Sequence, residues 1–332
     1  MDIAVSNTNI IQVAADLLVL KHADGFYGAD KAVAKILGFN GHIKVGDSRF
    51  FPGKGVAAQE VVFLGVGPLG DFRYARIQEF GSRAIKLVRQ HHRPIQHLAL
   101  TVHGPGYGLD SEQSFLSMVA GLVAEWKRAP NSLEQITVAE LSDKRCVLLN
   151  SILQERLHEF GLVKSVREAT VRVAESPEPI QRRTTKEDNI VQFGTRAEQQ
   201  PCLFVAMPFS EEFVDEFEIG FHEAAKASAF ICERLDLSSF TGDIVTEIKK
   251  RIISSHGVIA LLNDLNPNVF LEVGFAWAHG KPTILVAKEG LKLPFDVSGH
   301  KCVLYRNIRD LRKALSAEIA SLKAQGVLAK TA

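Results

Sequence analysis

Short apolar runs recur along this chain, and each is followed by a loop and a segment with helical spacing. In the second half the runs are "CLFVAMPF" (202–209), "FICERLD" (230–236), "GVIALLND" (257–264), "PTILVA" (282–287) and "KCVLY" (301–305). Helical spacing fills 211–229, 241–255, the stretch from about 266, and 310–324. Strands that are apolar on both sides need helices above and below them, which predicts a compact, doubly wound parallel sheet. The first half alternates in the same way. Strand signals at 15–22, 60–68, 97–108 and 135–141 are interleaved with helical ones at 28–38, 71–92, 111–128 and 143–160. The predicted fold class is α/β in both halves.

At 332 residues the chain exceeds one ordinary domain and suggests two. The seam is 174–201, "AESPEPIQRRTTKEDNIVQFGTRAEQQP", rich in Pro, Thr, Gln and charge and without apolar periodicity. It reads as a linker between domains 1–173 and 202–332. Lys and Arg number 39 against 38 acidic residues, so no bulk field points to nucleic acid or to a membrane surface. The four cysteines stand far apart with no CxxC pair, which argues against a disulfide framework or a zinc site. No 18-residue apolar run and no leader-like N-terminus occur, so the expected location is the cytoplasm. No metal-ligand cluster stands out in the sequence, and no metal is expected.

Between Asp264 and Lys281 the sole formal charge is Glu272, flanked by Val269, Phe270, Leu271, Val273, Phe275 and Trp277. The strand 257–264 ends at Asp264, and the next helix begins near Asn266 or Asn268, with Pro267 near its first position. Open parallel sheets bind ligands outside the carboxyl ends of their strands. Glu272, one or two turns into this helix, is expected close to that place. Burial should raise its pKa and the helix N-terminus should oppose the rise. The residues alone leave two roles open: a catalytic carboxylate, or a structural one that caps a turn or pairs with an arginine.

The stretches "FVAMPFSEEF", "GDIVTEIKKRI" and "VIALLNDLNPNVFLEVGFAWAHGKPTILV" resemble the TIR-like and nucleoside 2-deoxyribosyltransferase-like superfamily over about 202–305. That resemblance implies a TIR/flavodoxin-like sheet with Glu272 as the catalytic carboxylate. It implies a substrate pocket formed by Met207, Pro208, Phe209 and Ser210, and a sugar-side loop carrying Asp264, Asn266 and Asn268. It also brings Asp296 and Ser298 towards the pocket. Cleaving an N-glycosidic bond develops positive charge on the ribose, which a carboxylate can stabilise or trap covalently. Asn and Asp side chains can hold ribose hydroxyls, and Phe209 can stack on a base. No cofactor is implied; NAD would be the substrate. The start "TGDIV" of the helix near Asp243 reads either as a phosphate contact or as a capping turn.

The superfamily has two branches, enzymes that move deoxyribose between bases and TIR enzymes that break the nicotinamide–ribose bond of NAD. Fusion to a large N-terminal partner suits a regulated effector better than a salvage enzyme. The resulting expectation is an NAD-cleaving hydrolase of bacterial antiviral defence, active as a homo-oligomer. A deoxyribosyltransferase or nucleotide N-hydrolase of salvage type is the first alternative. The second is a non-catalytic nucleotide-binding or assembly protein.

In the first half, "AADLLVLKHADGFYGADKAVAKIL", "VVFLGVGP" and "ARIQEFGSRAIKLVRQ" resemble the macro-like N-terminal domain of leucyl aminopeptidases over about 10–160. The two-metal cluster of the peptidase half has no counterpart, so peptidase activity is not expected. The resemblance implies a nucleotide or ADP-ribose-type signal bound at glycine-rich loops. The candidates are Gly65, Gly67 and Gly70 in "GVGPLG" and His103, Gly104, Gly106 and Tyr107 in "HGPGYG". Glycines let backbone N–H groups approach a phosphate, and they equally make tight turns.

Overall fold

A computed structural model of the chain describes residues 1–129, 131–155, 162–164, 170–173, 190–208, 210–235 and 244–329. The chain forms two compact units, Met1–Pro105 with Ser111–Glu198, and Gly106–Asp110 with Gln199–Ala332. Both are α/β, as the alternation of runs requires.

The first unit contains β1 (Asp2–Asn7), β2 (Leu17–His22), α1 (Gly28–Ile36), β3 (Ser48–Pro52), β4 (Glu60–Gly65) and α2 (Tyr74–Gln90). It continues with β5 (His97–Thr101), α3 (Ser111–Arg128), β6 (Gln135–Glu140), α4 (Asp143–Glu155), β7 (Leu162–Lys164), β8 (Thr170–Val173) and α5 (Phe193–Gln199). Its sheet has the order β3-β4-β2-β5-β6-β1-β8-β7. The run from β4 to β1 is parallel, with β3 antiparallel to β4 and β8 antiparallel to β1. The parallel strands are the continuous apolar ones: β2 is buried at every position, including Lys21 and His22. By contrast, β3 ("SRFFP") is almost wholly exposed and ends in Pro52, which an edge strand tolerates.

Part of the expected linker is structured. Residues 174–189 lie outside the described residues, but 190–198 belong to the first unit. The buried Gln78 side chain on α2 holds them: its Nε2 donates to the carbonyls of Ile190 and Val191 at 2.8 Å each, and its Oε1 accepts from Gly194 N at 2.6 Å. A buried amide satisfied on both its ends fixes a segment that has little apolar periodicity of its own.

The second unit contains β9 (Cys202–Ala206), a π-helical stretch Glu216–Phe221, α6 (His222–Ala227), β10 (Ile231–Glu233), α7 (Ile244–Ser254) and β11 (Gly257–Leu261). Then follow α8 (Pro267–Ala278), β12 (Thr283–Lys288), α9 (Phe295–Ser298), β13 (Cys302–Tyr305) and α10 (Ile308–Ala324). The sheet order is β10-β9-β11-β12-β13 with every pairing parallel, so the direction of winding reverses between β9 and β11. Alternate strand residues feed two cores. Leu203, Val205, Ile259 and Leu261 pack with Phe213, Phe217, Phe221 and the apolar side of α10. Phe204, Ala206, Val258 and Ala260 pack on the other face with Ile252 of α7 and with Val269, Val273 and Ala276 of α8.

Gly106–Asp110 falls in the second unit, although 97–108 reads in sequence as strand and loop of the first half. Within that unit Arg251 donates to the carbonyls of Tyr107 and Gly108, both at 3.2 Å, and to Glu233 Oε2 at 3.0 Å. His222 Nε2 lies 2.9 Å from Asp110 Oδ2.

Candidate functional site

The start of α8 is set by its own side chains. Asp264 Oδ1 accepts from Asn266 N at 3.1 Å, and Asn266 Oδ1 accepts from Asn268 N at 3.0 Å, which makes Asn266 the N-cap with Pro267 behind it. The helix then buries Val269, Glu272, Val273 and Ala276, a stripe at helical spacing that faces the sheet. Glu272 takes one of these core positions and is 9% exposed.

Among the described residues its carboxylate has no hydrogen bond and no ion pair. Neither the cap nor the arginine of the structural alternative is present there. Burial pushes its pKa up to about 8, and no compensating contact opposes the rise. With its pKa raised to about 8, Glu272 is largely protonated at neutral pH.

Glu272 and Asn268 line a cavity of about 170 Å³, together with Leu271 and Phe275 of α8 and with Ile244, Ile248 and Ile252 of α7. The walls are mainly apolar and carry few polar groups, as a site for one planar or sugar ring requires.

The structure distributes the other expected pocket residues differently. Met207 is buried in the core on the sheet face opposite α8, where Arg234 Nη1 reaches its sulfur at 3.5 Å. Pro208 is buried, Ser210 Oγ accepts from Glu212 N at 3.4 Å, and Phe209 lies outside the described residues, as does Asp243. Asp264 and Asn266 are used in starting the helix. Asp296 is exposed on α9, and the exposed Ser298 donates to Phe295 O at 3.0 Å. Of the residues expected around the sugar, the cavity brings together Glu272 and Asn268.

Sequence reasoning missed a polar network at the carboxyl ends of β11, β12 and β13. Tyr305 Oη donates to the buried Glu216 Oε1 at 3.0 Å and accepts from Asn263 Nδ2 at 2.6 Å. Asn263 Oδ1 accepts from Lys288 N at 2.8 Å, and Lys288 Nζ lies 3.7 Å from Glu216. Burial raises the Tyr305 phenol further above its ordinary value, so it remains a hydrogen-bond donor. Asn263, directly before Asp264, was the one available signal.

In the first unit two of the candidate glycines, Gly65 and Gly104, meet the protein's own atoms closely. A Cβ at Gly65 would stand 2.0 Å from Lys44 O, so this glycine admits the 43–44 backbone. Gly67 turns the chain at φ +82°, and Gly70 is exposed in a short 3-10 turn. Gly104 has φ +120°, and a Cβ there would meet Ser114 Oγ at 2.3 Å. His103 is buried against Phe80 and Phe72, and burial, then Lys21, holds its pKa well below the ordinary value. Gly106 and the buried Tyr107 fall in the second unit. The expected sensor residues are thus split between the two units.

His22, Asp24 and His42 of the first unit each offer a ligand atom, all within 4.8 Å of one another, and no other such group occurs among the described residues. Burial, then His42, lowers the His22 pKa.

No family model matches the chain, and no curated protein matches it. Among solved structures the chain is similar to a Trypanosoma brucei macrodomain, with a TM-score of 0.40 and 16% identity over 46% of this chain and 66% of that one, just under two thirds. The same macrodomain in complex with ADP has a TM-score of 0.40 and 16% identity, over 46% of this chain and 68% of that one. The Oceanobacillus iheyensis macrodomain with ADP has a TM-score of 0.38 and 11% identity, over 47% and 91% of the two chains.

Proposed function

We propose that the second unit cleaves an N-glycosidic bond of a nucleotide, with Glu272 as the carboxylate that faces the anomeric carbon. The observation that carries this reading is the unpartnered burial of Glu272 on a mainly apolar cavity. A buried carboxylate without partners costs stability, and such groups concentrate where chemistry needs them. As the bond to the base breaks, positive charge grows on the ribose, and the Glu272 anion stabilises it or traps it as a glycosyl ester. Asn268 supplies an amide for a ribose hydroxyl at the same cavity. A volume of about 170 Å³ takes one ring system, so the remainder of a dinucleotide lies outside it.

NAD is the substrate we favour. Nicotinamide is a pyridinium in NAD and leaves neutral, so no acid has to protonate it. Among the described residues that line the cavity Glu272 is the one carboxylate, none is a histidine, and Lys249 is the other charged group. The fixed positive charge of the pyridinium would also draw Glu272 back towards its anion. The first unit is proposed to sense a nucleotide signal and to promote activity in an assembled, homo-oligomeric defence effector; this part rests on the sequence resemblance. Such a signal must bind the active state more tightly than the resting one.

The rise of Glu272 to about 8 favours one other reading. A protonated Glu272 could donate to the departing base of a neutral deoxynucleoside, as a salvage transferase or hydrolase would need. Incubation with NAD and with deoxynucleosides, followed by chromatography across pH 6 to roughly 9, separates the two. A kcat/KM for nicotinamide release that rises with pH through about 8 supports the first reading, and a kcat/KM for base release or exchange that falls over the same range supports the second. Absence of turnover with either, under conditions that force assembly, leaves the non-catalytic binding protein.

A further inference from the structure

At the end of β2, His22 is 3% exposed, and its buried Nδ1 has no hydrogen-bond partner. An orphaned buried ring nitrogen is costly unless something completes it. Phe26 stands edge-on to the ring at 4.8 Å, and the His42 ring follows at 5.3 Å. Two residues after His22, Asp24 has φ +50°, a left-handed conformation that Asp adopts more readily than most residues. His42 Nδ1 lies 4.0 Å from Asp24 Oδ1.

We propose that His22, Asp24 and His42 bind a divalent transition-metal ion in the first unit. Two imidazoles and one carboxylate are a donor set that Zn²⁺ and neighbouring borderline ions accept. In a tetrahedral site with bonds of about 2.0–2.1 Å the ligand atoms stand roughly 3.4 Å apart. Starting from separations of up to 4.8 Å, the group must close by somewhat more than an ångström. The required movement falls on the two surface ligands. The side chains of His42 and Asp24 are 60% and 44% exposed, whereas His22 is fixed in the sheet. Gly65 keeps the His42 loop near: the backbone of Ile43 and Lys44 passes directly over the end of β4 because no Cβ intervenes.

Three protein ligands leave a fourth position, which exposed partners open to solvent. That is the arrangement of sites where the metal meets water or an anionic ligand, in contrast to closed structural sites. The site is independent of Glu272, and its test does not depend on the activity of the second unit.

The test is calorimetric titration of Zn²⁺ into chelator-treated full-length protein, repeated with Co²⁺ for its absorption bands. The expected result is one bound ion per chain with a micromolar or tighter Kd. Affinity should fall at least about tenfold in His42→Ala and in Asp24→Asn. Asn keeps the left-handed backbone and removes the charge, and circular dichroism verifies folding of both variants. His92→Ala, at an exposed histidine outside the group, should bind as the parent does. No binding by the parent protein, or unchanged binding in either ligand variant, overturns the proposal.

Discussion

Asn268 and Glu272 stand four residues apart on α8 and line the same cavity, yet Asn268 is exposed and Glu272 is 9% exposed. One helix thus presents a solvated amide and a desolvated carboxylate to a single space. The first is cheap to keep and the second is not, and the two are expected to respond differently to substitution.

The cost at Glu272 depends on pH. Its folded pKa of about 8 lies above the ordinary value of 4.5, so between these values the native state holds a proton that the unfolded state has released. Stability should therefore fall as pH rises from about 4.5 to 8, by an amount on the order of several kcal/mol. Glu272→Gln removes this slope. In urea unfolding the variant should match the parent near pH 5 and exceed it near pH 8.5, and parallel pH profiles would contradict an unpaired buried carboxylate.

At Asn268, Ala substitution should leave stability within about 0.5 kcal/mol, because the side chain is exposed and the helix cap uses only its backbone N–H. If its amide holds a ribose hydroxyl, kcat/KM should drop roughly tenfold, the scale of one hydrogen bond. Steady-state kinetics beside a melting curve would show the separation.

The fragment 199–332 should be less stable than the same unit in the full chain. It lacks Asp110, the partner of His222, and the carbonyls of Tyr107 and Gly108 that receive Arg251. Burial alone would lower the His222 pKa, but Asp110 and then Glu223 overcome it, and the net shift is upward to about 11. The pair's stabilisation is thus complete below about pH 6.5 and is lost as pH rises towards 11. Breaking a buried pair costs about 3–5 kcal/mol. Equal urea midpoints at pH 6 for the fragment and for this unit in the full chain would count against the assignment of Gly106–Asp110 to it.

Tyr305→Phe should destabilise the second unit by about 1–3 kcal/mol, since it leaves the buried Glu216 without its hydroxyl donor. Thermal unfolding of the variant checks this directly.

The α/β class and the parallel order of the second sheet were legible because strands covered on both faces appear as unbroken apolar runs. Strand β3 escaped notice because at an exposed edge "SRFFP" shows neither alternation nor an apolar run. Glu272 was legible as a solitary charge on an apolar helix, and the Asp264–Asn266–Pro267 cap as a helix start. The attachment of Gly106–Asp110 to the second unit was not, because Tyr107 and Gly108 contribute backbone carbonyls that any residue carries. Tyr305 and Glu216 are 89 residues apart, and nothing local in either segment announces the other. His22 and Asp24 left an H-x-D trace at a strand end, but its third member, His42, is joined to it only by the folded loop.

The most direct test of the central claim is nicotinamide release from NAD by the full-length protein and by Glu272→Gln, measured by chromatography under conditions that promote assembly. Release by the parent and a loss of roughly a hundredfold or more in the folded variant is the expected result, the scale of removing a main electrostatic stabiliser. Turnover unchanged in a variant that circular dichroism finds folded would contradict the assignment of Glu272 as the catalytic carboxylate.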